Sequence, residues 1–165
     1  MMGGGWLEVA SGQLGDWPGL GRVGRLGLAT RGNRSLEPDD VEHAVDCGVN
    51  YLKWCRHADG LQEWIRQSGR RREDVRVAVQ FFARTASGAR DELAECLEQL
   101  GTDYLDVLTY YYVESEAEWK QIISADGAAE VVDAARADGV VRSVGLTSHQ
   151  RDLAAEWVAG GRLDG

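Results

Sequence analysis

The sequence predicts an α/β fold in which parallel strands alternate with helices. Short apolar runs of strand length recur from residue 25 onward, and amphipathic segments of helical period separate them. Connections that long favour parallel pairing over hairpins. With 165 residues, the chain has the length of one domain. A doubly wound sheet and a (β/α)₈ barrel both fit, although five strand-helix units are too few for a whole barrel of about 250 residues.

The first half of the chain begins this alternation with a short apolar run at 26–30, as in a buried strand. Pro38 then opens a helix, because its ring suits the first helical turn and the acidic residues after it favour the positive end of the helix. Gly48 ends this helix. The elements that follow are a strand at 49–54, a short helix at 61–67 and a strand at 75–82.

The second half repeats the pattern. Ser87 is predicted to cap a helix over 88–100, whose apolar side chains share one face. The remaining elements are a strand at 105–111, helices at 117–123 and 128–137, a strand at 140–146 and a helix at 151–159. No glycine-rich phosphate loop follows the first strand, because residues 29–33 read Ala-Thr-Arg-Gly-Asn and lack the G-x-G-x-x-G pattern.

Composition narrows the classes of partner. A formal charge of −9 argues against nucleic acid and anionic membranes, which are themselves negatively charged. No apolar run is long enough to predict a transmembrane helix, and the first residues lack the basic flank and apolar core of a signal peptide. Cys47, Cys55 and Cys96 are an odd set without C-x-x-C spacing. We therefore expect a cytoplasmic protein with reduced thiols and no metal site.

Glycine is unevenly distributed along the chain. Of 21 glycines, nine lie within the first 27 residues, which indicates a turn-rich beginning. We accordingly divide the chain into a glycine-rich segment at 1–24 and an α/β domain at 25–165.

Four segments carry a family resemblance. They are Arg-Leu-Gly-Leu-Ala-Thr at 25–30, Ala-Val-Asp-Cys-Gly-Val-Asn-Tyr-Leu at 44–52, Leu-Gly-Thr-Asp-Tyr-Leu-Asp at 100–106 and Gly-Val-Val-Arg-Ser-Val-Gly-Leu-Thr-Ser at 139–148. In this order and spacing, from about Gly19 to Gly160, they resemble the aldo-keto reductases. The resemblance implies the N-terminal five β-α units of a TIM (β/α)₈ barrel.

The resemblance also implies carbonyl reduction with NADPH, in which a tyrosine acid, a lysine, an aspartate and a histidine act on a small-molecule carbonyl substrate. Each of these four positions is substituted here. Lys53 stands where the aspartate is expected, Gln80 where the lysine is expected and Tyr111 where the histidine is expected. The tyrosine position falls at Ala58, with Asp59 beside it.

Two residues retain groups that suit the family's cofactor. Thr147 and Ser148 match the pair that holds the nicotinamide amide, and both offer hydroxyls. The resemblance ends at 162–165, where the sixth strand is expected to begin. We therefore expect a fragment of a longer chain. An open arc of strands would leave sheet edges exposed, and this favours self-association.

Several residues allow two interpretations. Lys53 and Tyr111 could form a relocated lysine-tyrosine acid, or Lys53 could snorkel while Tyr111 fills the barrel mouth. His57 could donate a proton, or it could be an exposed loop residue. His149 could contact a ligand or lie on the surface. Cys55, beside Arg56, is expected to be a buried thiol.

We make three packing predictions alongside these. Tyr111 is expected to face the barrel mouth, with Tyr110 and Tyr112 facing the helices. The basic run at 70–72 is expected to be solvated. Three tryptophans are expected in the core, namely Trp64, Trp119 and Trp157.

Three functional hypotheses remain open. The chain could be an aldo-keto-reductase-like oxidoreductase with an altered set of catalytic residues. It could be a non-catalytic ligand-binding barrel, because a fold does not fix a function. It could also be a truncated remnant that does not fold alone.

Overall fold

A five-stranded parallel sheet forms the centre of the protein. The computed structural model describes residues 15–17, 19–30 and 36–164. A hairpin of β1 (Gly15–Trp17) and β2 (Gly21–Val23) comes first. The sheet then contains β3 (Leu28–Thr30), β4 (Tyr51–Trp54), β5 (Arg76–Phe81), β6 (Leu105–Tyr110) and β7 (Val141–Leu146). The positions at 1–14 and 31–35, which include much of the glycine-rich segment and part of the motif after the first strand, lie outside the described residues.

The order of the strands decides between the two predicted arrangements. The strands pair in chain order, from β3 to β7, and every neighbouring pair is parallel. A doubly wound sheet reverses its strand order at a switch point, whereas a barrel adds each strand beside the previous one. The sheet is therefore an arc of a (β/α)₈ barrel, which confirms the predicted five β-α units.

Helices cover one face of this arc. They are α1 (Pro38–Asp46), α2 (Gly60–Gln67), α3 (Ala86–Leu100), α4 (Glu116–Ile122), α5 (Ala128–Ala137) and α6 (Arg151–Ala159), with a 3-10 helix at Gly69–Asp74. The predicted elements from residue 26 onward are all present, with ends displaced by at most two residues. The hairpin and the 3-10 helix were not predicted.

One predicted helix cap is wrong. Thr85, rather than Ser87, precedes the first turn of α3, and its hydroxyl accepts a hydrogen bond from the Gly88 amide. Ser87 lies inside the helix. Thr85 has the extended backbone that an N-cap requires, and the helix therefore begins two residues earlier than predicted.

The two faces of the sheet have separate cores. Leu52, Phe81 and Leu108 belong to the large core beneath the helices, together with the three predicted tryptophans, all of which are buried. On the concave face, Ala78 and Val107 pack with residues of the hairpin. On β5, Val77 and Val79 belong to the large core and the intervening Ala78 to the concave one, because successive strand residues point to opposite faces.

The hairpin lies at the amino-terminal ends of the strands. The Asn50 side chain, just before β4, donates to the Arg22 carbonyl over 2.8 Å and accepts from the Gly24 amide over 2.7 Å. Arg76, at the start of β5, donates through Nε to the Leu20 carbonyl over 2.6 Å. These contacts place the hairpin across the bottom of the arc and leave the opposite end for a site.

The outer edge of β7 is already partly paired. The Asp164 amide donates to the Val144 carbonyl over 2.7 Å, and its carboxylate accepts from the Val144 amide over 2.9 Å. Residue 164 thus lies beside β7 at the position where the sequence predicts the next strand to begin.

The expectation that the basic run at 70–72 is solvated is wrong for Arg72. Its side chain is buried and pairs with Asp106 over 2.7 Å. Arg71 pairs at the surface with Glu42 and Asp46, and these carboxylates raise the pKa of its guanidinium. Two of the three cations in this run, Arg71 and Arg72, therefore serve structural ion pairs at the amino-terminal side of the sheet.

Candidate active site

The candidate site is built from rows of side chains on the concave face. Lys53 shares this face with Tyr51, because the intervening Leu52 is buried in the core beneath the helices. Strand register places Lys53 between Ala29 and Ala78. The same row continues to Val107 and Ser143.

A second polar row lies two residues closer to the carboxyl ends of the strands. Gln80 is paired in register with Thr109, and both side chains are buried. Gly145 continues this row on β7 and contributes no side chain. An amide and a hydroxyl therefore stand next to each other directly above the Lys53 row, and both can donate hydrogen bonds.

Lys53 is half-buried and has no hydrogen-bond or ion-pair partner among residues 15–17, 19–30 and 36–164. Its strand neighbours on the concave face are alanines, which leave space beside the amine. The structure thus brings Lys53 and Gln80, two of the predicted site residues, to adjacent rows of one face.

A continuous row of rings lies at the mouth, beyond the strand ends. The ring centroids of Phe82 and Tyr111 are 5.0 Å apart, those of Tyr111 and Tyr112 are 4.9 Å apart, and those of Tyr112 and His149 are 4.8 Å apart. Phe82 and Tyr112 are about half exposed. Tyr111 therefore lies at the mouth, as predicted, between two other aromatic rings.

The prediction for the neighbours of Tyr111 is half right. Tyr110 is buried beneath the helices, with edge-on contacts to Phe81 and Trp119, and burial raises the pKa of its phenol well above the usual range. Tyr112 does not face the helices. Its φ of 60° turns the backbone out of the strand, so its ring is exposed beside His149.

Two charged side chains fix the loop after β5. Arg84 donates to the Phe82 carbonyl over 2.9 Å and to the Tyr111 carbonyl over 2.7 Å. Glu92 accepts from the amides of Phe82, over 2.9 Å, and Ala83, over 2.6 Å, and it also pairs with Arg56. The rings of Phe82 and Tyr111 are thus carried on backbone that is held from both sides.

The predicted cofactor residues lie in the turn after β7. The Thr147 hydroxyl oxygen accepts from the Tyr112 amide over 2.9 Å, and the Thr147 amide donates to the Tyr110 carbonyl over 2.9 Å. The Ser148 hydroxyl oxygen accepts from the Gln150 amide over 2.9 Å. Each hydroxyl accepts one bond and keeps its own proton available for donation.

The loop after β4 contributes structure at the positions of the expected acid. Asp59 is the N-cap of α2, with its carboxylate accepting from the Gln62 amide over 3.0 Å. Ala58 and His57 are exposed, and the His57 carbonyl accepts from the Trp54 indole over 2.8 Å. Cys55 is buried, as expected. His149 is exposed, with Nδ1 lying 3.3 Å from the Glu114 carboxylate.

Sequence reasoning missed Phe82 and Thr109. Each lies two residues from a predicted site residue on the same stretch of chain: Thr109 precedes Tyr111 by two, and Phe82 follows Gln80 by two. The period of two along each strand was the signal that could have found them.

Other classes of site have no support in the described residues. No cluster of three or more His, Cys, Asp or Glu side chains is arranged to hold a metal ion in the ranges 15–17, 19–30 and 36–164. None of the helices described in those ranges has the length and apolar character that crossing a membrane requires.

Solved structures of known proteins share this architecture. An aldo-keto reductase from Klebsiella pneumoniae in complex with NADPH superposes with a TM-score of 0.72 at 19% identity, covering 92% of this chain and 56% of that one. An aldo-keto reductase from Bacillus halodurans in its holo form gives a TM-score of 0.69 at 18% identity, covering 89% and 53% respectively. The chain therefore spans about half the length of these structures.

Comparison of the amino-acid sequence gives the family to which the chain belongs. No curated protein matches the chain significantly. The profile of the aldo/keto reductase family, however, matches residues 19–158, which include β2 of the hairpin and all five strands of the parallel sheet. On this match over most of its length, the chain belongs to the aldo/keto reductase family.

Proposed function

We propose that this chain carries part of the active site of an NAD(P)H-dependent reductase of small carbonyl compounds. One observation carries the proposal: the Thr147 hydroxyl is hydrogen-bonded to the Tyr112 amide over 2.9 Å. This bond holds the residue expected to bind the nicotinamide amide against the backbone that follows Tyr111, at the mouth. The group expected to hold the cofactor is therefore anchored to the chain segment that carries the proposed proton donor.

The residues present suit a nicotinamide cofactor. Thr147 and Ser148 each keep a hydroxyl proton that can be donated to the carboxamide oxygen. NAD(P)H, when bound, supplies a hydride to the carbonyl carbon of the substrate. The structure of the Klebsiella pneumoniae relative in complex with NADPH supports the choice of cofactor.

The remaining residues manage the charge that develops on the carbonyl oxygen. The Gln80 amide and the Thr109 hydroxyl lie side by side and can donate hydrogen bonds to that oxygen. Tyr111 then transfers its phenolic proton to it. Lys53, as an ammonium on the same face, stabilises the negative charge before the proton arrives. We also propose a cytoplasmic setting, which is supported by the thiols of Cys47 and Cys96, neither of which forms a disulfide with another described residue.

A second candidate function is binding without turnover. The loop that carries the acid in the family is committed to structure here, because Asp59 caps α2 and Ala58 has no acidic group. A barrel with this loop could retain the aromatic mouth as a pocket for a small ligand while lacking reduction chemistry.

The deciding experiment measures NADPH affinity by fluorescence titration and NADPH oxidation with a small aldehyde. Turnover that falls by about 10²-fold or more in Tyr111→Phe supports the reductase. Tyr112→Phe is the matched control, because it removes a neighbouring hydroxyl whose only hydrogen-bond partner among the described residues is the exposed His149. Saturable binding without NADPH oxidation supports the binding protein. A protein that neither binds nor oxidises NADPH contradicts the reductase proposal.

A further inference from the structure

Lysine is exceptionally scarce in this chain. Arginine occurs sixteen times, whereas the only lysines are Lys53 and Lys120. Lys120 has an ordinary surface role: it is 69% exposed and pairs with Glu116, one helical turn away, over 2.9 Å. Lys53 is therefore the one lysine placed on the concave face, in a chain that uses arginine for nearly every other cation.

The two cations differ in the chemistry they allow. A guanidinium stays protonated in proteins and has no lone pair to offer. A lysine amine, once it has lost its proton, is a nucleophile that adds to carbonyl carbon. A half-buried lysine on the concave face of an arginine-rich chain therefore adds a reactivity that arginine cannot supply.

The surroundings of Lys53 suit that reactivity. No carboxylate pairs with it among the residues the structure describes. Ala29 and Ala78 flank it in register, and these short side chains leave room for a small molecule beside the amine. Cations on the helix side of the sheet, in contrast, are held by acids, as Arg72 is by Asp106.

Donors stand next to the position where an adduct would form. Gln80 and Thr109 occupy the following row of the same face, and neither side chain makes a hydrogen bond to another described residue. An amide N–H and a hydroxyl directed at a carbonyl oxygen stabilise the charge that appears there when an amine attacks.

We propose that Lys53 is a nucleophilic amine that captures small aldehydes and unhindered ketones as an imine. The unprotonated amine forms a bond to the carbonyl carbon, and the carbonyl π-electrons move to the oxygen. That oxygen takes up a proton while the nitrogen gives up one of its two protons, which gives the neutral carbinolamine. The nitrogen then loses its remaining proton as hydroxide departs and is protonated to water, so the overall reaction is amine plus carbonyl to imine plus water. No oxidant, reductant or nucleotide is required.

The test is reductive trapping on the full chain without any nucleotide. The protein is incubated with propanal and cyanoborohydride, and the propylated peptides are quantified by mass spectrometry over time. If orientation on the concave face contributes about as much as one hydrogen bond, Lys53 is labelled about tenfold faster than Lys120. The terminal amine is followed in its own peptide.

Matched variants separate a site from general amine reactivity. Lys53→Arg keeps the positive charge at position 53 but abolishes the fast labelling. Lys120→Arg leaves the fast labelling of Lys53 in place. Gln80→Leu, with an isosteric loss of donors, slows labelling at Lys53 and leaves labelling at Lys120 unchanged. Equal or faster labelling of Lys120 in the native chain overturns the proposal, and so does an unaltered Lys53 rate in Gln80→Leu that folds normally by circular dichroism.

The outcome is independent of the reductase proposal. A chain that traps propanal at Lys53 but does not bind NADPH supports imine formation and contradicts the reductase proposal. NADPH oxidation without preferential trapping at Lys53 supports the reductase proposal and contradicts imine formation at Lys53.

Discussion

Arg72 and Asp106 form an ion pair of 2.7 Å in which both side chains are buried. The other carboxylate oxygen of Asp106 accepts from Arg142 over 2.9 Å. The two guanidinium groups lie over the Tyr104 ring, 4.2 and 4.0 Å from its centroid. Because Asp106 also accepts from the Val77 amide over 2.9 Å, one carboxylate joins three strands and the 3-10 helix at the amino-terminal side of the sheet.

Asp106→Asn is expected to lower the free energy of unfolding by about 3–5 kcal/mol, because it leaves the buried Arg72 charge without a counter-charge. Denaturant titration measures the change. Glu116→Gln is the control, since it breaks the exposed pair with Lys120 and is expected to cost no more than about 0.5 kcal/mol. Equal losses of unfolding free energy for the two substitutions would show that breaking the buried Arg72 pair costs no more than breaking an exposed one.

Gly60→Ala is expected to destabilise the fold by about 3 kcal/mol, because backbone cannot move aside as a flexible side chain can. A Cβ at residue 60 would lie 2.1 Å from the Leu36 carbonyl oxygen, at the crossing of the segments that enter α1 and α2. The thermal midpoint measures the loss. Gly15→Ala is the control, because no described residue lies within 4 Å of its added Cβ. An unchanged midpoint in Gly60→Ala would mean that these segments do not approach as described.

The sequence predicted the succession of elements because each strand and helix has its own local pattern. Gly48 and Gly139 marked helix ends, and both have the positive φ that follows a helix. Strand order could not be obtained by counting, since a doubly wound sheet and a barrel use the same units. The family resemblance favoured the barrel, and the complete strand order, from β3 to β7 in chain order, distinguishes it from a doubly wound sheet.

The candidate site was less accessible to sequence reasoning. Family resemblance indicated positions such as Lys53 and Tyr111, and strand parity predicted the face of Tyr111. The burial of Arg72 was missed because its partner, Asp106, is distant in sequence and the neighbouring cations are exposed. The outward turn at Tyr112 was missed because a positive φ in tyrosine has no local sequence signal.

The thiol of Cys96 is expected to resist alkylation until the solution is strongly alkaline. Burial in α3 raises the pKa of this thiol from an ordinary 9.0 to about 11. Iodoacetamide at pH 8, followed by peptide mass analysis, should therefore modify the exposed Cys47 and leave Cys96 intact. Rapid modification of Cys96 at that pH in folded protein would contradict its burial.

The same shift gives a pH dependence of stability. Because the folded state holds the Cys96 proton more tightly than the unfolded state, its contribution to the free energy of unfolding is complete below pH 9.0 and is lost as the pH rises towards about 11. Cys96→Ala, compared with the native chain across that range, should lack this component of the decline. If the free energy of unfolding falls with pH in parallel for the two proteins, the contribution of Cys96 is ruled out.

Glu92→Gln is expected to loosen the loop that carries Phe82 to the mouth. The Glu92 carboxylate accepts from the Phe82 and Ala83 amides and pairs with Arg56, and a neutral amide weakens all three bonds because charge-assisted hydrogen bonds are the stronger kind. Hydrogen exchange at the two amides measures the effect, and a loss of about 1–2 kcal/mol corresponds to roughly tenfold faster exchange.

Glu95→Gln is the matched control, because Glu95 also pairs with Arg56, over 2.6 Å, but it is half exposed and holds neither amide. Faster exchange in Glu95→Gln than in Glu92→Gln would show that the Arg56 pair, rather than the carboxylate on the loop amides, holds the aromatic mouth in place.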